Sequence, residues 1–332
     1  MYRKGDMVST RDAYGAALLE LGRRRKEIVV FEADLSKPMR TDKFAREFPE
    51  RFFNVGVAEQ NEMAAAAGAA TCGKIAFVST YAVFASMRAC EQIRTFVAYP
   101  RLNVKICASH GGLTPASDGV THQATEDLGI VRTIPYMTVV MPADAVTTRL
   151  AVHQAAELSG PVYVRLTRDA VPVLYEDGAD FRIGKAIVLQ KGKDVTLIGL
   201  GDMVCKALRA AEELAREGIC AGVIDMHTIK PIDQEAILEA ARDTGALVTV
   251  EDHQICGGLG SAVAEVLVEG APVPMERIGL RNLFAESGGY EELLAKYHMD
   301  VPAIVAAAKR AIERRNRLEQ QVRNSPCPNA SR

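Results

Sequence analysis

The chain has 332 residues, which is enough for two domains that each bury a hydrophobic core. The charges of its 40 basic and 42 acidic residues nearly cancel. The overall charge therefore gives no reason to expect nucleic acid or a membrane surface as a partner. No apolar run is long enough to span a bilayer, and the first residues lack the apolar core of a secretory signal. The seven cysteines form no Cys-x-x-Cys pair, so we expect reduced thiols in a cytoplasmic protein.

Short β-branched runs alternate with helical patterns along most of the chain, which indicates parallel βαβ construction. In the first region the pattern predicts strands over 28–31, 75–79, 104–108, 138–141 and 162–166. The helices between them are predicted to begin near Thr10, Glu59, Val83, Thr125 and Asp144. The second region is predicted to contain strands over 195–199, 221–225 and 246–251, again with helices between them. The expected fold class is therefore α/β, with two doubly wound domains.

The periodicity breaks between residues 169 and 193, where glycine and proline interrupt one short predicted strand over 186–190. We therefore predict a first domain over residues 1–172, a linker over 173–193 and a second domain over 194–316. The remaining residues, 317–332, are mostly polar and include two prolines, so they are predicted to form a disordered tail.

The most informative stretch, residues 54–68, runs from a strand through a glycine turn into an alanine-rich helix. Gly56-Val57-Ala58-Glu59-Gln60 lies at the turn. For an isolated glutamate the ordinary explanation is a favourable interaction with the positive end of the helix dipole. Here the surrounding small residues also allow another backbone to approach closely.

This stretch resembles the pyrimidine-binding domain of transketolases and 1-deoxyxylulose-5-phosphate synthases, and the resemblance continues over nearly the whole chain. It implies a thiamine-diphosphate pyrimidine-binding domain followed by a transketolase C-terminal domain. In that family the glutamate at the position of Glu59 hydrogen-bonds the aminopyrimidine ring of thiamine diphosphate and promotes removal of the thiazolium C2 proton. Such a carboxyl group needs an apolar site, where it can share or donate a proton near neutral pH.

Aromatic residues follow the next predicted strand, at Tyr81 and Phe84. Alone, this spacing is typical of a core, but the resemblance implies that both rings stack on the aminopyrimidine. Many transketolases have a third aromatic residue where this chain has Met87. Asp34 and Leu35 lie in a segment similar to one that borders the cofactor in the family.

Residues 109–123 are too polar and too rich in glycine for a core, so they are predicted to form a site loop. Two histidines, His110 and His122, flank Asp118 in this loop. The loop closely resembles the transketolase substrate loop. The resemblance implies that His110 contacts a sugar, that Asp118 recognises a substrate hydroxyl and that His122 assists proton transfer.

Two arginines, Arg11 and Arg168, match family positions that hold the sugar phosphate, a task suited to the guanidinium fork. The alternative for either residue is a solvated surface arginine. Pro38 stands where many phosphate-specific transketolases have a serine, so one neutral donor to the phosphate is missing. The identity of the substrate is therefore left open.

The second region contains part of a dinucleotide-binding pattern, with Gly199 and Gly201 at the end of a predicted strand. The third glycine of that pattern is replaced by Val204, which makes the nicotinamide-binding alternative unfavourable. The region resembles the transketolase C-terminal domain, whose role in the family is mainly structural and interfacial. His227 and His253 are accordingly given no catalytic role.

The sequence lacks the Gly-Asp-Gly motif with which thiamine diphosphate enzymes hold Mg²⁺ and the diphosphate. The resemblance therefore implies the C-terminal subunit of a split transketolase, which transfers a two-carbon ketol unit between a ketose and an aldose. The partner would be an N-terminal subunit that carries the Mg²⁺ and diphosphate site, with two copies of each subunit and sugar phosphates as substrates.

Two alternatives remain open at this point. One is a subunit of another thiamine diphosphate enzyme, such as a 1-deoxyxylulose-5-phosphate synthase or the β subunit of a 2-oxo acid dehydrogenase, and both loop histidines favour transketolase over these. The other is a non-catalytic binding module that keeps the fold, which would be expected to lose Glu59.

Overall fold

The structure, a computed structural model, describes residues 2–324. The strands in this range are β1 (Met7–Ser9), β2 (Ile28–Glu32), β3 (Phe52–Asn54), β4 (Ile75–Tyr81), β5 (Val104–Ser109), β6 (Thr138–Val140), β7 (Val162–Arg165), β8 (Ala170–Pro172), β9 (Ile187–Gln190), β10 (Val195–Gly199), β11 (Ala221–Asp225), β12 (Thr228–Lys230), β13 (Leu247–Gln254) and β14 (Met275–Leu280).

The α-helices in the same range are α1 (Thr10–Arg24), α2 (Ser36–Met39), α3 (Asp42–Glu47), α4 (Glu59–Thr71), α5 (Cys90–Gln92), α6 (Asp127–Thr133), α7 (Ala145–Glu157), α8 (Met203–Arg216), α9 (Gln234–Thr244), α10 (Leu259–Gly270), α11 (Tyr290–Lys296) and α12 (Val301–Asn324). Wider π-helical turns over Phe84–Arg88 and Ile93–Ala98 flank α5. The helix predicted near Val83 therefore takes this irregular form. No helix among the described residues is long and apolar enough to cross a bilayer.

The first sheet has seven strands in the order β12-β6-β7-β5-β4-β2-β3, and all of its strands except β12 run parallel. Every residue of β2 is buried, because both faces of the sheet are covered. Side chains alternate along β2, so Ile28 and Val30 pack with α1 and α7 while Val29 and Phe31 pack with α4.

The second sheet has five strands in the order β14-β13-β10-β11-β9, with β9 antiparallel at one edge. Along β10, Leu197 packs with α8 and α12, and Ile198 packs with α9 and α10. Helices thus cover both faces of both sheets, and the predicted α/β class is confirmed. The strand β9 lies inside the predicted linker, yet it pairs with β11 as part of this sheet.

One strand of the second region belongs to the first sheet. After β11 the chain crosses over, and β12 pairs antiparallel with β6, placing Thr228 opposite Val140. Next to this contact, Lys230 donates hydrogen bonds from Nζ to the carbonyls of Arg132 and Ile134, at 2.7 and 2.6 Å. The sequence pattern predicted neither this strand nor the crossing, and the two domains are interlocked by it.

The helix α12 corrects the prediction of a disordered tail from residue 317, because it continues to Asn324. Residues 317–323 include no proline or glycine, and all of them except Val322 are strong helix formers. Glu319 lies within 3.8 Å of Arg315 and 3.9 Å of Arg323, one turn away on each side. The rest of the predicted tail, residues 325–332, lies outside the described residues.

The tightly packed core of the first domain predicts a large stability loss for Phe77→Ala. Phe77, in β4, is 0% exposed, and Phe-to-Ala changes in cores cost about 3 to 5 kcal/mol in the free energy of unfolding. Phe284→Ala deletes the same atoms from a side chain that is 76% exposed, and it should cost less than about 0.5 kcal/mol. Urea denaturation of both variants checks this. Similar losses in the two variants would contradict the packing described here.

Candidate active site

The residues predicted for the site follow the carboxyl ends of parallel strands in the first sheet, the edge at which such sheets place ligands. They are, in strand order along the chain, Asp34 and Leu35 after β2, Glu59 after β3, Tyr81 and Phe84 at and after β4, His110 with Asp118 and His122 after β5, and Arg168 after β7. Arg11 joins them from the first turn of α1. The shared edge brings segments together that are far apart in the chain.

Glu59 is the first residue of α4, and it is only 5% exposed. Its Oε1 accepts a hydrogen bond of 2.9 Å from Nη1 of Arg88. The Arg88 guanidinium in turn lies 4.0 Å from the centroid of the Phe84 ring. Arg88 therefore connects the buried carboxylate to the aromatic side of the site, a contact that the sequence pattern does not predict.

A second carboxyl group, that of Glu62, lies one turn further along α4. It is completely buried, and its Oε1 accepts a hydrogen bond from the Ser79 backbone N–H at 3.2 Å. Its Oε2 has no hydrogen-bond partner among the described residues. Burial raises the pKa of Glu62 well above its ordinary value, and the nearby Glu32 and Glu59 raise it further. In the sequence, the signal that points to Glu62 is its i, i+3 spacing from Glu59 in an alanine-rich helix. The sequence pattern alone did not identify Glu62 as a site residue.

Asp34 and Leu35 lie on a turn that the carboxylate of Glu32 organises. Glu32 accepts hydrogen bonds from the Leu35 N–H at 2.6 Å and from the Ser36 hydroxyl at 2.8 Å. Asn54 Oδ1 accepts from the backbone N–H groups of both Asp34 and Gly56, at 3.2 and 2.9 Å. This bridge holds the turn after β2 beside the turn that leads into Glu59.

The aromatic residues and the two histidines form one stacked group. The Tyr81 ring stacks on His110 with 3.8 Å between centroids, and on Phe84 with 5.6 Å. His122 meets the edge of Phe84 at 5.4 Å. Met87, at the third aromatic position of the family, is exposed. A buried carboxyl group beside aromatic faces fits a flat aminopyrimidine ring, which needs one hydrogen-bond partner and a stacking surface.

His110 is buried and has a left-handed backbone, with φ of 61°. Its Nδ1 lies 2.8 Å from the Ser109 hydroxyl. Burial and, after it, the positive charges of Arg11 and Arg168 lower the pKa of His110 to about 3. The imidazole is therefore neutral near pH 7 and can either donate or accept a hydrogen bond.

Two arginine side chains lie near His110 and Tyr81. Arg11 donates from Nη1 to the Pro38 carbonyl at 3.0 Å, and its buried Nε has no hydrogen-bond partner among the described residues. Arg168 donates from Nη1 to the Pro115 carbonyl at 2.6 Å and lies 3.5 Å from an oxygen of Asp118. Burial lowers the pKa of Arg11, with a further lowering by Arg40. Together these guanidinium groups make an environment that favours an anionic group.

Residues 2–324 contain no cluster of three or more histidine, cysteine, aspartate or glutamate side chains that could hold a metal ion. The buried carboxyl group of Glu59 and the aromatic faces therefore suit a pyrimidine ring rather than a metal ion.

Comparisons with known proteins give a consistent result. The family model "Transketolase, pyrimidine binding domain" matches residues 6–173, and "Transketolase, C-terminal domain" matches residues 184–304. A Methanocaldococcus jannaschii protein named for the C-terminal section of transketolase is 49% identical over 91% of this chain and 95% of its own length. A 6-deoxy-6-sulfo-D-fructose transketolase subunit from Clostridium sp. (strain MSTE9) is 44% identical over 92% of this chain and 95% of that protein.

An apulose-4-phosphate transketolase subunit from Phocaeicola vulgatus is 40% identical over 91% of this chain and 97% of that protein. Among solved structures, a split-gene transketolase described as an inactive β4 tetramer is 52% identical. It superposes with a TM-score of 0.88 over 93% of this chain and 99% of that one. The Pichia stipitis transketolase, at 22% identity and a TM-score of 0.80, shares the fold over 46% of its length.

We predict that His110 stays neutral in the folded chain until the pH approaches about 3, well below its ordinary pKa of 6.5. Between these values the unfolded chain binds a proton that the folded chain does not, so protonation of His110 works against folding as the pH falls. NMR titration of the imidazole carbons, with His110→Gln for assignment, measures this pKa. Arg11→Met should raise it, because one positive charge is removed while the burial remains. A folded-state titration near 6.5 would contradict the burial described for His110.

Proposed function

This chain belongs to the transketolase family, and on that premise we propose that it is the C-terminal subunit of a split transketolase. The subunit transfers a two-carbon ketol unit between a ketose and an aldose, and it acts only with an N-terminal partner subunit. The observation that carries this proposal is the buried carboxylate of Glu59 at the same sheet edge as two stacked aromatic rings and two histidines. Its similarity to C-terminal sections and subunits over nearly their full length supports the split arrangement.

Thiamine diphosphate, on which the family depends, supplies a thiazolium carbon that becomes nucleophilic when it loses its proton. In this chain Glu59 would hold a proton against the pyrimidine ring nitrogen, and Tyr81 and Phe84 would hold the ring flat. Asp34 and Leu35 would border it from the turn after β2. For Glu59 to take this part, its contact with Arg88 must open, which the exposed position of the Arg88 side chain allows.

We propose that Mg²⁺ and the diphosphate are held by the partner subunit, because Mg²⁺ on a diphosphate needs an octahedral set of oxygen ligands and this sequence lacks the family's Gly-Asp-Gly motif. Two copies of each subunit would complete the assembly. The split-gene relative that forms an inactive tetramer of β chains supports a requirement for the second kind of subunit.

The histidine side of the site would handle substrate oxygens and protons. His110 is neutral and buried, so it can donate a hydrogen bond to a sugar oxygen without bringing a positive charge. His122 is half-buried next to Phe84 and can exchange protons with a substrate hydroxyl. Asp118, close to Arg168, would accept a hydrogen bond from another hydroxyl.

The substrate class that suits this site is a sugar with an anionic group at its far end. Arg11 and Arg168 provide the positive charge. The buried Nε of Arg11 has no hydrogen-bond partner among the described residues, so it is free to donate to a substrate. Pro38 presents a carbonyl to Arg11 and has no donor of its own. The sulfonated and phosphorylated sugars named for two relatives lead us to propose a sugar phosphate or sulfonate other than the usual pentose phosphates.

The central test is Glu59→Gln in a complex reconstituted with the N-terminal subunit. Glutamine keeps the shape but cannot supply the proton, so kcat and kcat/KM for ketol transfer should both fall by about 10² to 10⁴. Assembly should be unchanged, and the wild-type chain alone should give no turnover. Glu235→Gln, at an exposed position, is the matched control. If H/D exchange at the cofactor C2 carbon keeps its wild-type rate in Glu59→Gln, Glu59 is not the activating acid.

The anionic end of the substrate is tested with Arg168→Gln on a panel of phosphorylated, sulfonated and uncharged ketoses. Loss of a charged hydrogen bond costs about 1.5 to 3 kcal/mol, so KM for charged donors should rise by about 10- to 150-fold. Uncharged donors should be little affected. Arg101→Gln, on an exposed arginine that packs on Tyr136, is the control.

A clear wild-type preference for xylulose 5-phosphate with ribose 5-phosphate would contradict the substrate assignment based on Pro38.

A further inference from the structure

The site loop of the first domain has one side chain inside the core of the second domain. Leu113 is 0% exposed and belongs to a cluster whose other buried members all come from residues 195–311. Among them are Leu197 in β10, Met203 in α8 and Val250 in β13. Full burial of a leucine contributes about 1.5 to 3 kcal/mol relative to exposure. The loop is therefore attached to the second domain by a buried apolar contact.

A carboxylate of the second domain holds the same residue by its backbone. The N–H of Leu113 donates to both side-chain oxygens of Asp252, at 3.0 Å to Oδ1 and 2.8 Å to Oδ2. Asp252, in β13, is 1% exposed. A side chain on Gly112, where φ is +62°, would place its Cβ 2.2 Å from the Asp252 carboxyl carbon. The loop backbone and this carboxylate are thus in direct van der Waals contact.

The far end of the loop is held in a similar way. Gln123 donates from Nε2 to the Glu286 carbonyl at 3.1 Å, just before α11. Gly119, with φ of +75°, lies so close to Ser287 that an added Cβ would be 2.5 Å from the serine hydroxyl. Between the two attachments lie Asp118 and His122, and His110 lies just before the first.

We propose that the second domain is a positioning element for the substrate loop, acting through Asp252 and the apolar pocket that receives Leu113. Asp252 touches no substrate in this proposal; it fixes the backbone three residues after His110 and five residues before Asp118. The proposal rests on the proposed ketol transfer for its catalytic consequence, while the anchoring itself is a property of the chain alone. It gives the second domain a part in substrate binding that goes beyond structural support.

The physical reason is the cost of ordering a loop that is rich in glycine. Each residue that is fixed on substrate binding costs about 1 to 2 kcal/mol of conformational entropy, and a preformed loop has already met that cost on folding. A misplacement of about 1 Å in a substrate-positioning group can lower the rate by about 10²-fold. Loss of the anchor should therefore affect both KM and kcat.

The test compares Asp252→Ala and Asp252→Asn with Asp202→Asn. Asp202 is also a buried carboxyl group of the second domain, at 5% exposed, and shares the Tyr290 hydroxyl with Asp252. Within residues 2–324 it makes no hydrogen bond to the loop. Amide hydrogen exchange is measured in the full chain without partner or substrate. We expect exchange at the Leu113 amide to be at least 10-fold faster in Asp252→Ala. In Asp252→Asn, which keeps one acceptor oxygen, the exchange rate should return close to the wild-type value. In Asp202→Asn the exchange rate should be unchanged.

In the reconstituted complex, Asp252→Ala should raise KM for the sugar and lower kcat, each by about 10-fold or more, consistent with the cost of misplacing a positioning group. C2 H/D exchange, which depends on Glu59 rather than on the loop, should keep its wild-type rate. Leu113→Ala should have the same pattern of effects, because it empties the apolar pocket.

The proposal is wrong if Asp252→Ala leaves exchange at residues 110–123 unchanged, or if Asp202→Asn accelerates exchange and raises KM to the same extent. The second result would mean that Asp252 serves only the stability of its domain. Because amide exchange needs no substrate, it decides the anchoring even if the wild-type complex shows no ketol transfer, and that outcome would overturn the proposed function separately.

Discussion

A guanidinium group with no access to solvent, that of Arg165 at the end of β7, joins the parts of this molecule on which the site depends. It donates to Asp127 at 3.0 Å, to the Ala124 carbonyl at 2.6 Å and to the Asp252 carbonyl at 3.0 Å. Removing such a charge from water is costly, and it is tolerated only when the donors have well-placed acceptors. The acceptors come from Ala124 directly after the site loop, from α6 and from the second domain, so the buried charge requires all three to be in place.

This requirement explains why the loop after β5 needs glycine where it passes the arginine. A Cβ on Gly111 would lie 2.3 Å from Arg165 Nε, and the next residue, Gly112, meets Asp252 in the same way. The loop backbone is thus sandwiched between a buried cation and a buried carboxylate. The catalytic candidates on it, His110 and His122, have positions that depend on both domains, and the crossing strand β12 reinforces the same interface.

Charged groups of both signs lie at the same sheet edge as the neutral His110. Glu59 and Glu32 both lie near Glu62, and burial together with their charges raises the pKa of Glu62. Burial also raises the pKa of Glu32, with a further rise from Asp34. Arg11 and Arg168 both act on His110 with their positive charges. In the proposed function the carboxyl side exchanges protons with a heterocycle and the arginine side receives an anion. The neutral imidazole of His110 adds no charge that would weaken either interaction.

Sequence alone determined the α/β class, most strands of both sheets and the candidates around Glu59 and His110, because alternation, glycine turns and helix starts are local properties of the chain. Only the tertiary structure decided that Glu62 is buried with an oxygen unpartnered among the described residues, that β12 crosses to the first sheet and that Leu113 reaches the second core. The Leu113 N–H and its acceptor are 139 residues apart, and no local pattern records such a contact. The end of α12 is a different case, because two local signals disagreed there. The polar composition predicted a tail from residue 317, but helix propensity prevailed and the helix continues to Asn324.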